Sequence, residues 1–251
     1  MKNNSLALKK LNVTQKDIIQ FTVLQKLQET SIHAAEIHRF VSERFKNDNL
    51  SPTRSRAYVY DSIKEMEELG WISYQVEGRK KIYSLRKEGK AKIKNFKDIY
   101  VPLLLHIDKA VRQMSFNVST KEFRDVKWSL TEEEKRYLSK ILNVKAFIQW
   151  YILLRLLEQT ELHGGELYRE MNRWYAWINS HGYFYQVIRE MDYEGLIVSR
   201  WLNEDTRSKR KYQVTDVGRS QYEELTENIK IHLEGLQQFL RTMIQRFDPD
   251  S

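Results

Sequence analysis

Apolar positions in this chain recur mostly at spacings of three and four, interrupted twice by short alternating stretches that each follow a glycine. Ile18, Phe21, Val23, Leu24 and Leu27 form the apolar face of a first helix. Thr14 and Asp17 open it as an N-cap with an acidic first turn, and it ends near Thr30. Ile37, Phe40, Val41 and Phe45 mark a second helix. After the polar stretch Asn47-Asp48-Asn49, Ser51-Pro52 reads as a capping serine with proline at the first helical position. The third helix that starts there runs to Leu69 and stops at Gly70. The period then falls to two. Trp71-Ile72-Ser73-Tyr74-Gln75-Val76, a Glu77-Gly78 turn and Lys80-Lys81-Ile82-Tyr83-Ser84-Leu85 predict a β-hairpin with a basic return strand.

From Gly89 onward, Ile93, Phe96, Tyr100, Leu103, Leu104, Ile107, Val111 and Met114 keep helical spacing, so a long helix is predicted there. Pro102 should kink or break it. Ser115-Phe116-Asn117-Val118 is the candidate linker. A short helix begins near Thr131, capped by Ser129 or Thr131, with Glu132, Glu133 and Glu134 in its first turn. Further helices cover about 147–157, 163–174 and 183–194, then a hairpin spans 196–214 with a charged tip at 203–211. Thr215-Asp216 caps a last helix running to about 247. Its Tyr222, Leu225, Ile229, Leu233, Leu236, Phe239, Leu240 and Met243 demand a partner helix.

The two halves repeat one pattern. Tyr58, Tyr60, Ile63, Glu65, Met66, Gly70 and Ile72 recur 125 residues later as Tyr183, Tyr185, Ile188, Glu190, Met191, Gly195 and Ile197. At 130, Leu24, Leu27, Thr30, His33, Glu36 and Arg39 recur as Leu154, Leu157, Thr160, His163, Glu166 and Arg169; at 129, Tyr83 and Gly89 recur as Tyr212 and Gly218. The spacing changes only where loops are expected, as in two copies of one fold. Three helices followed by a hairpin is the order of a winged helix, whose third helix enters the major groove while the hairpin reaches the adjacent backbone or minor groove. The same elements also build a small α+β core with no nucleic-acid role. The predicted fold class is therefore mainly α with small β-hairpin wings (α+β): two tandem winged-helix domains plus long helices for packing or dimerisation. The boundaries are 1–118 for the first domain with its long helix, 119–143 for a connecting segment and 144–251 for the second domain.

In the second copy, Leu162-His163-Gly164-Gly165-Glu166-Leu167, the run 184–197 (Phe-Tyr-Gln-Val-Ile-Arg-Glu-Met-Asp-Tyr-Glu-Gly-Leu-Ile) and the run 210–218 (Arg-Lys-Tyr-Gln-Val-Thr-Asp-Val-Gly) stand in order at compatible distances. Together they resemble the PadR family, over about residues 150–245. The first copy matches less well, with Ala34 and Ala35 where the family favours a glycine and a bulky residue. The resemblance implies a winged-helix regulator, usually a homodimer paired through its C-terminal helix, that represses transcription at palindromic operators. Fusion of two copies implies either that one chain supplies both halves of the usual dimer or that two chains make a four-domain assembly. Some members bind flat aromatic compounds near the dimer interface. That implies an effector pocket at Trp174 and Trp177, among seven aromatics whose simpler role is core packing.

Composition narrows the function classes. The 251 residues contain no cysteine, which fits a reducing cytoplasm. No apolar run approaches the ~20 residues of a membrane span, and the first five residues lack the apolar core of a signal peptide. Net charge is +8, unevenly spread: residues 1–150 hold 29 Lys and Arg against 18 Asp and Glu, and residues 151–251 hold 13 against 16. A first half at +11 and a second at −3 place the attraction for a polyanion in the first half. No P-loop, dinucleotide fingerprint, nucleophile elbow or zinc spacing occurs, so no enzyme activity, cofactor or metal site is expected. His33 and His163, each with glutamate three residues on, read as turn-packing residues rather than metal ligands.

The expected partner is double-stranded DNA. Ser51, Thr53, Arg54, Arg56 and Tyr58 lie at the start of the third helix, where arginine reaches guanine bidentately; a positive charge at a helix N-terminus otherwise opposes the dipole. Arg79, Lys80 and Lys81 on the first wing, and Arg207, Lys209, Arg210 and Lys211 on the second, suit phosphates. In the second reading head, Ser180, His181, Tyr183, Gln186 and Arg189 are the candidates. The function read from these residues is sequence-specific regulation of transcription, by repression. A plasmid or phage replication or segregation protein is the alternative within DNA binding, and a protein-interaction module the alternative outside it.

Overall fold

The computed structural model describes residues 14–47, 56–123, 129–175, 180–201 and 210–248. The chain forms two compact units, and they do not follow chain order. One comprises residues 1–108 with 238–251, the other residues 109–237.

In the first unit, α1 (Gln15–Glu29) is closed at its start by a capping box: the Thr14 hydroxyl accepts the Asp17 N–H at 3.1 Å, and the Asp17 carboxylate accepts the Thr14 N–H at 2.8 Å. Ile19, Gln20 and Thr22 are buried as well as the five residues of the predicted face. α1 is the central helix, packed against α2 (Ala34–Asn47), α3 (Arg56–Glu68) and strand β3 (Lys80–Leu85), so a one-sided pattern would leave apolar neighbours facing polar side chains. α3 buries Val59, Ser62, Ile63 and Met66 and ends in a Schellman motif. There Trp71 N–H donates to the Met66 carbonyl at 2.9 Å and Gly70 N–H to that of Glu67 at 3.0 Å, with Gly70 at φ +71°. The hairpin pairs β2 (Ile72–Glu77) with β3, and a two-residue strand that sequence does not announce, β1 (Ile32–His33), adds to the other edge of β3.

The second unit begins its globular part with α5 (Glu132–Ile141), closed by a Thr131–Glu134 capping box, and α6 (Val144–Glu158), N-capped by Asn143. α6 is buried without interruption from Phe147 to Leu154, so it takes the central place that α1 has in the first unit. Then follow β4 (Leu162–His163), α7 (Gly164–Tyr175), α8 (His181–Tyr193) and the hairpin β5 (Ile197–Trp201) and β6 (Arg210–Val214). The sheets share one register. Ile32 pairs with Tyr83 and Ile72 with Leu85, while Leu162 pairs with Tyr212 and Ile197 with Val214. α8 ends as α3 does, with Gly195 at φ +73° and Leu196 N–H donating to the Met191 carbonyl at 2.9 Å.

Two long helices, α4 (Lys87–Thr120) and α9 (Asp216–Phe247), contribute to both units. In the first unit, Phe247 of α9 meets Phe21 at a tilt at 4.8 Å and stacks on Tyr100 at 5.3 Å, and Phe96 meets Phe21 edge-on at 5.5 Å. Lys97 pairs with Asp248 at 3.1 Å, and Gln25 donates to the Arg246 carbonyl. Within the second unit, Gln237 donates to Ser115 at 2.8 Å and the hydroxyl of buried Tyr175 meets the side-chain amide of Asn117.

Two sequence expectations are corrected here. Pro102 does not break α4, which runs on past it to Thr120, and it sits exposed; the proline supplies no backbone donor, so one bond of the helix is missing there. The candidate linker 115–118 is the last part of α4, and Asn117 and Val118 are buried. No described helix is long and apolar enough to cross a membrane.

Candidate nucleic-acid interface

Of the candidates on the first unit's third helix, Ser51, Thr53 and Arg54 lie outside the described residues. Arg56 opens α3 and is exposed. Its guanidinium donates to the Tyr60 hydroxyl at 3.3 Å and lies 5.5 Å from the Tyr60 ring, a contact one helical turn long. Tyr58 is half-buried on the same turn. The wing beside it turns at Gly78-Arg79, with Gly78 at φ +62°, as a two-residue hairpin requires when glycine comes first. Arg79 and Lys80 stand exposed at the tip. Lys81 does not point away: its ammonium sits 3.6 Å from the Tyr74 ring centroid and 4.0 Å from the Glu67 carboxylate. The Tyr74 hydroxyl contact holds the Lys81 pKa above its ordinary value.

In the second unit, Ser180 is the N-cap of α8, its hydroxyl accepting the Tyr183 N–H at 3.3 Å. That role uses the acceptor of the side chain and leaves its donor. His181 is exposed yet ringed by Tyr168 and Tyr185 at 4.8 and 4.7 Å. Gln186 donates to Glu190 at 3.0 Å on the exposed face, where Arg189 is also exposed, and Tyr183 is half-buried. Lys145 and Gln186 together hold the Glu190 pKa below the usual carboxylate range. On the wing, Arg207 and Lys209 lie outside the described residues. Arg210 lays its guanidinium over the Trp201 ring at 4.5 Å and stands 3.9 Å from Asp192. Lys211 pairs with Glu161, whose pKa is lowered by that bond.

Sequence reasoning missed Arg169, His163, Trp201 and Tyr185, which the fold gathers with Arg189 and Arg210 around one cavity. They come from four elements, and only the His33/His163, Arg39/Arg169 and Tyr60/Tyr185 recurrences hinted at them. The His163 backbone N–H donates to the Glu166 carboxylate at 3.0 Å, and its ring Nδ1 lies 3.3 Å from the Arg210 carbonyl. This glutamate closes the turn into α7. Of the effector candidates, Trp174 packs on Phe123 at 5.8 Å and under Arg173 at 4.9 Å, and Trp177 lies outside the described residues.

Each unit thus presents an exposed helix flanked by a basic hairpin, the arrangement by which winged helices meet duplex DNA. Residues 153–224 match a family model described as the transcriptional regulator PadR-like family, a span from within α6 into α9. No curated protein matches the chain.

Proposed function

We propose that the chain is a sequence-specific double-stranded DNA-binding transcriptional regulator acting as a repressor, built by tandem duplication of a PadR-like winged helix. The observation that carries this reading is the shared register of the two sheets beside equivalent helices α3 and α8, the second of them inside the segment that matches a regulator family. One chain then carries two reading heads, where a homodimer through long helices would otherwise be needed. It acts in the cytoplasm, without catalysis or cofactor.

Within that reading α3 reads bases and the wings hold phosphates. Arg54 and Arg56 face base edges, while Arg79, Lys80, Lys209 and Lys211 meet the backbone. Lys81 contributes through Tyr74, by fixing the wing. A bidentate base contact is worth ~1–3 kcal/mol and acts on one base pair, whereas a phosphate contact acts on every sequence. The test is affinity for a site selected from random duplex, and for its scrambled version, at two salt concentrations. Arg56→Ala should weaken binding to the selected site far more than to the scrambled one. Lys80→Ala should weaken both together. If the wild-type chain bound no duplex even at low salt, DNA binding would be excluded and the fold would serve protein contacts.

A further inference from the structure

A cavity of about 510 Å³ opens in the second unit between the start of α7, helix α8 and strands β5 and β6. Arg169, Arg189 and Arg210 line it together with the rings of Tyr185, Trp201 and Tyr212. Among the described residues the lining holds one carboxylate, Glu166, engaged by the His163 N–H, and behind it Asp192 stands 3.9 Å from Arg210. Its wall is tightly built: a Cβ at residue 164 would come within 3.1 and 3.2 Å of the Tyr185 and Tyr212 rings. The Arg210 Nε is buried and has no hydrogen-bond partner among the described residues, although the guanidinium plane rests on Trp201. Three guanidinium groups gather here although residues 151–251 carry more acid than base. General basicity does not account for them.

We propose that this cavity seats a phosphate group, with Arg169, Arg189 and Arg210 as its ligands. Three planar forks approaching from different elements match the tetrahedral spread of phosphate oxygens, where a carboxylate accepts from one plane. The positions that correspond by repeat in the first unit are Arg39, Lys64 and Lys81, with Val76 in place of Trp201. Lysine is a point charge without the fork, and Lys81 is drawn onto Tyr74, so the fork site belongs to the second unit. The phosphate comes from the DNA backbone; this source rests on the DNA-binding reading above, whereas the chemistry of the site does not. A free phosphate ion or monoester is the other source.

The experiment uses the full chain in two arms. Inorganic phosphate is titrated at constant ionic strength while arginine Nε–H resonances are followed by NMR. Duplex of random sequence is bound across a salt series. Phosphate should shift the Arg210 resonance in the wild type and not in an Arg169→Gln, Arg189→Gln variant of unchanged melting temperature. Arg169→Gln alone should reduce the slope of log affinity against log salt by about 0.9, the value of one phosphate contact on duplex DNA. A phosphate-induced shift with an unchanged slope supports the site and overturns the backbone as its source. A shift in a chain that binds no duplex keeps the site and removes the DNA reading. Duplex binding with neither the shift nor the slope change overturns the inference and leaves the DNA reading standing.

Discussion

Two glycines, at residues 89 and 218, show how closely side-chain size is dictated in this fold. Each opens a long helix behind a hairpin, and a Cβ there would meet a backbone carbonyl: that of Trp71 at 2.3 Å and that of Leu196 at 2.0 Å. A carbonyl in a capped turn cannot swing aside as a side chain tip can. Gly218→Ala should therefore destabilise by roughly 1–3 kcal/mol, the range for overpacking, with a lower urea midpoint. Gly235, in α9 with nothing near its missing Cβ, predicts the opposite sign. Gly235→Ala should stabilise by about 0.5–1 kcal/mol, because alanine loses less backbone freedom in a helix. Equal signs for the two substitutions would show that packing against Leu196 is not what demands Gly218. Other residues resisted sequence reading for a related reason. Arg169 and Trp201 are unremarkable in the chain, since what distinguishes them is who stands opposite, and that is decided by strand register and helix approach.

Among elements, those bounded by local chemistry were legible and those bounded by packing were not. Thr14, Thr131, Gly70 and Gly195 act through bonds to residues within five positions, so their caps could be read directly. β1 and β4, two residues each, exist because β3 and β6 offer an unpaired edge, which no local pattern encodes. At Pro102 the expected break does not occur, because one missing bond at an exposed position is a small loss among the bonds of a 34-residue helix. The same helix logic sorts α9. Leu233 is fully buried in the second unit, and two residues earlier Ile231 is 60% exposed. Leu233→Ala should cost ~2–5 kcal/mol by emptying core volume, and Ile231→Ala within about 0.5 kcal/mol of nothing. Thermal or urea unfolding of the two variants decides it; comparable losses would mean that the exposed face of α9 has a partner of its own in solution.

For the whole molecule, the sequence disclosed two similar halves, and cutting between them is the natural inference from a repeat. The structure closes its first core differently. Phe21, Phe96 and Tyr100 meet Phe247, and Gln25 bonds the Arg246 carbonyl, so residues 238–251 belong to a unit whose other members precede residue 109. A fragment of residues 1–120 should consequently unfold at markedly lower denaturant than the full chain, despite holding the more basic half and α3. Retention of full-chain stability by that fragment would make the Phe247 cluster dispensable. This has a consequence in time. During synthesis Tyr100 appears 147 residues before Phe247, roughly 7–30 s at ordinary elongation rates. Throughout that interval the emerging first unit has an open aromatic face and no means of shutting it. A nascent chain must therefore be sheltered, or slow to aggregate, until its far end arrives, and the first unit cannot close its core before translation has passed residue 247.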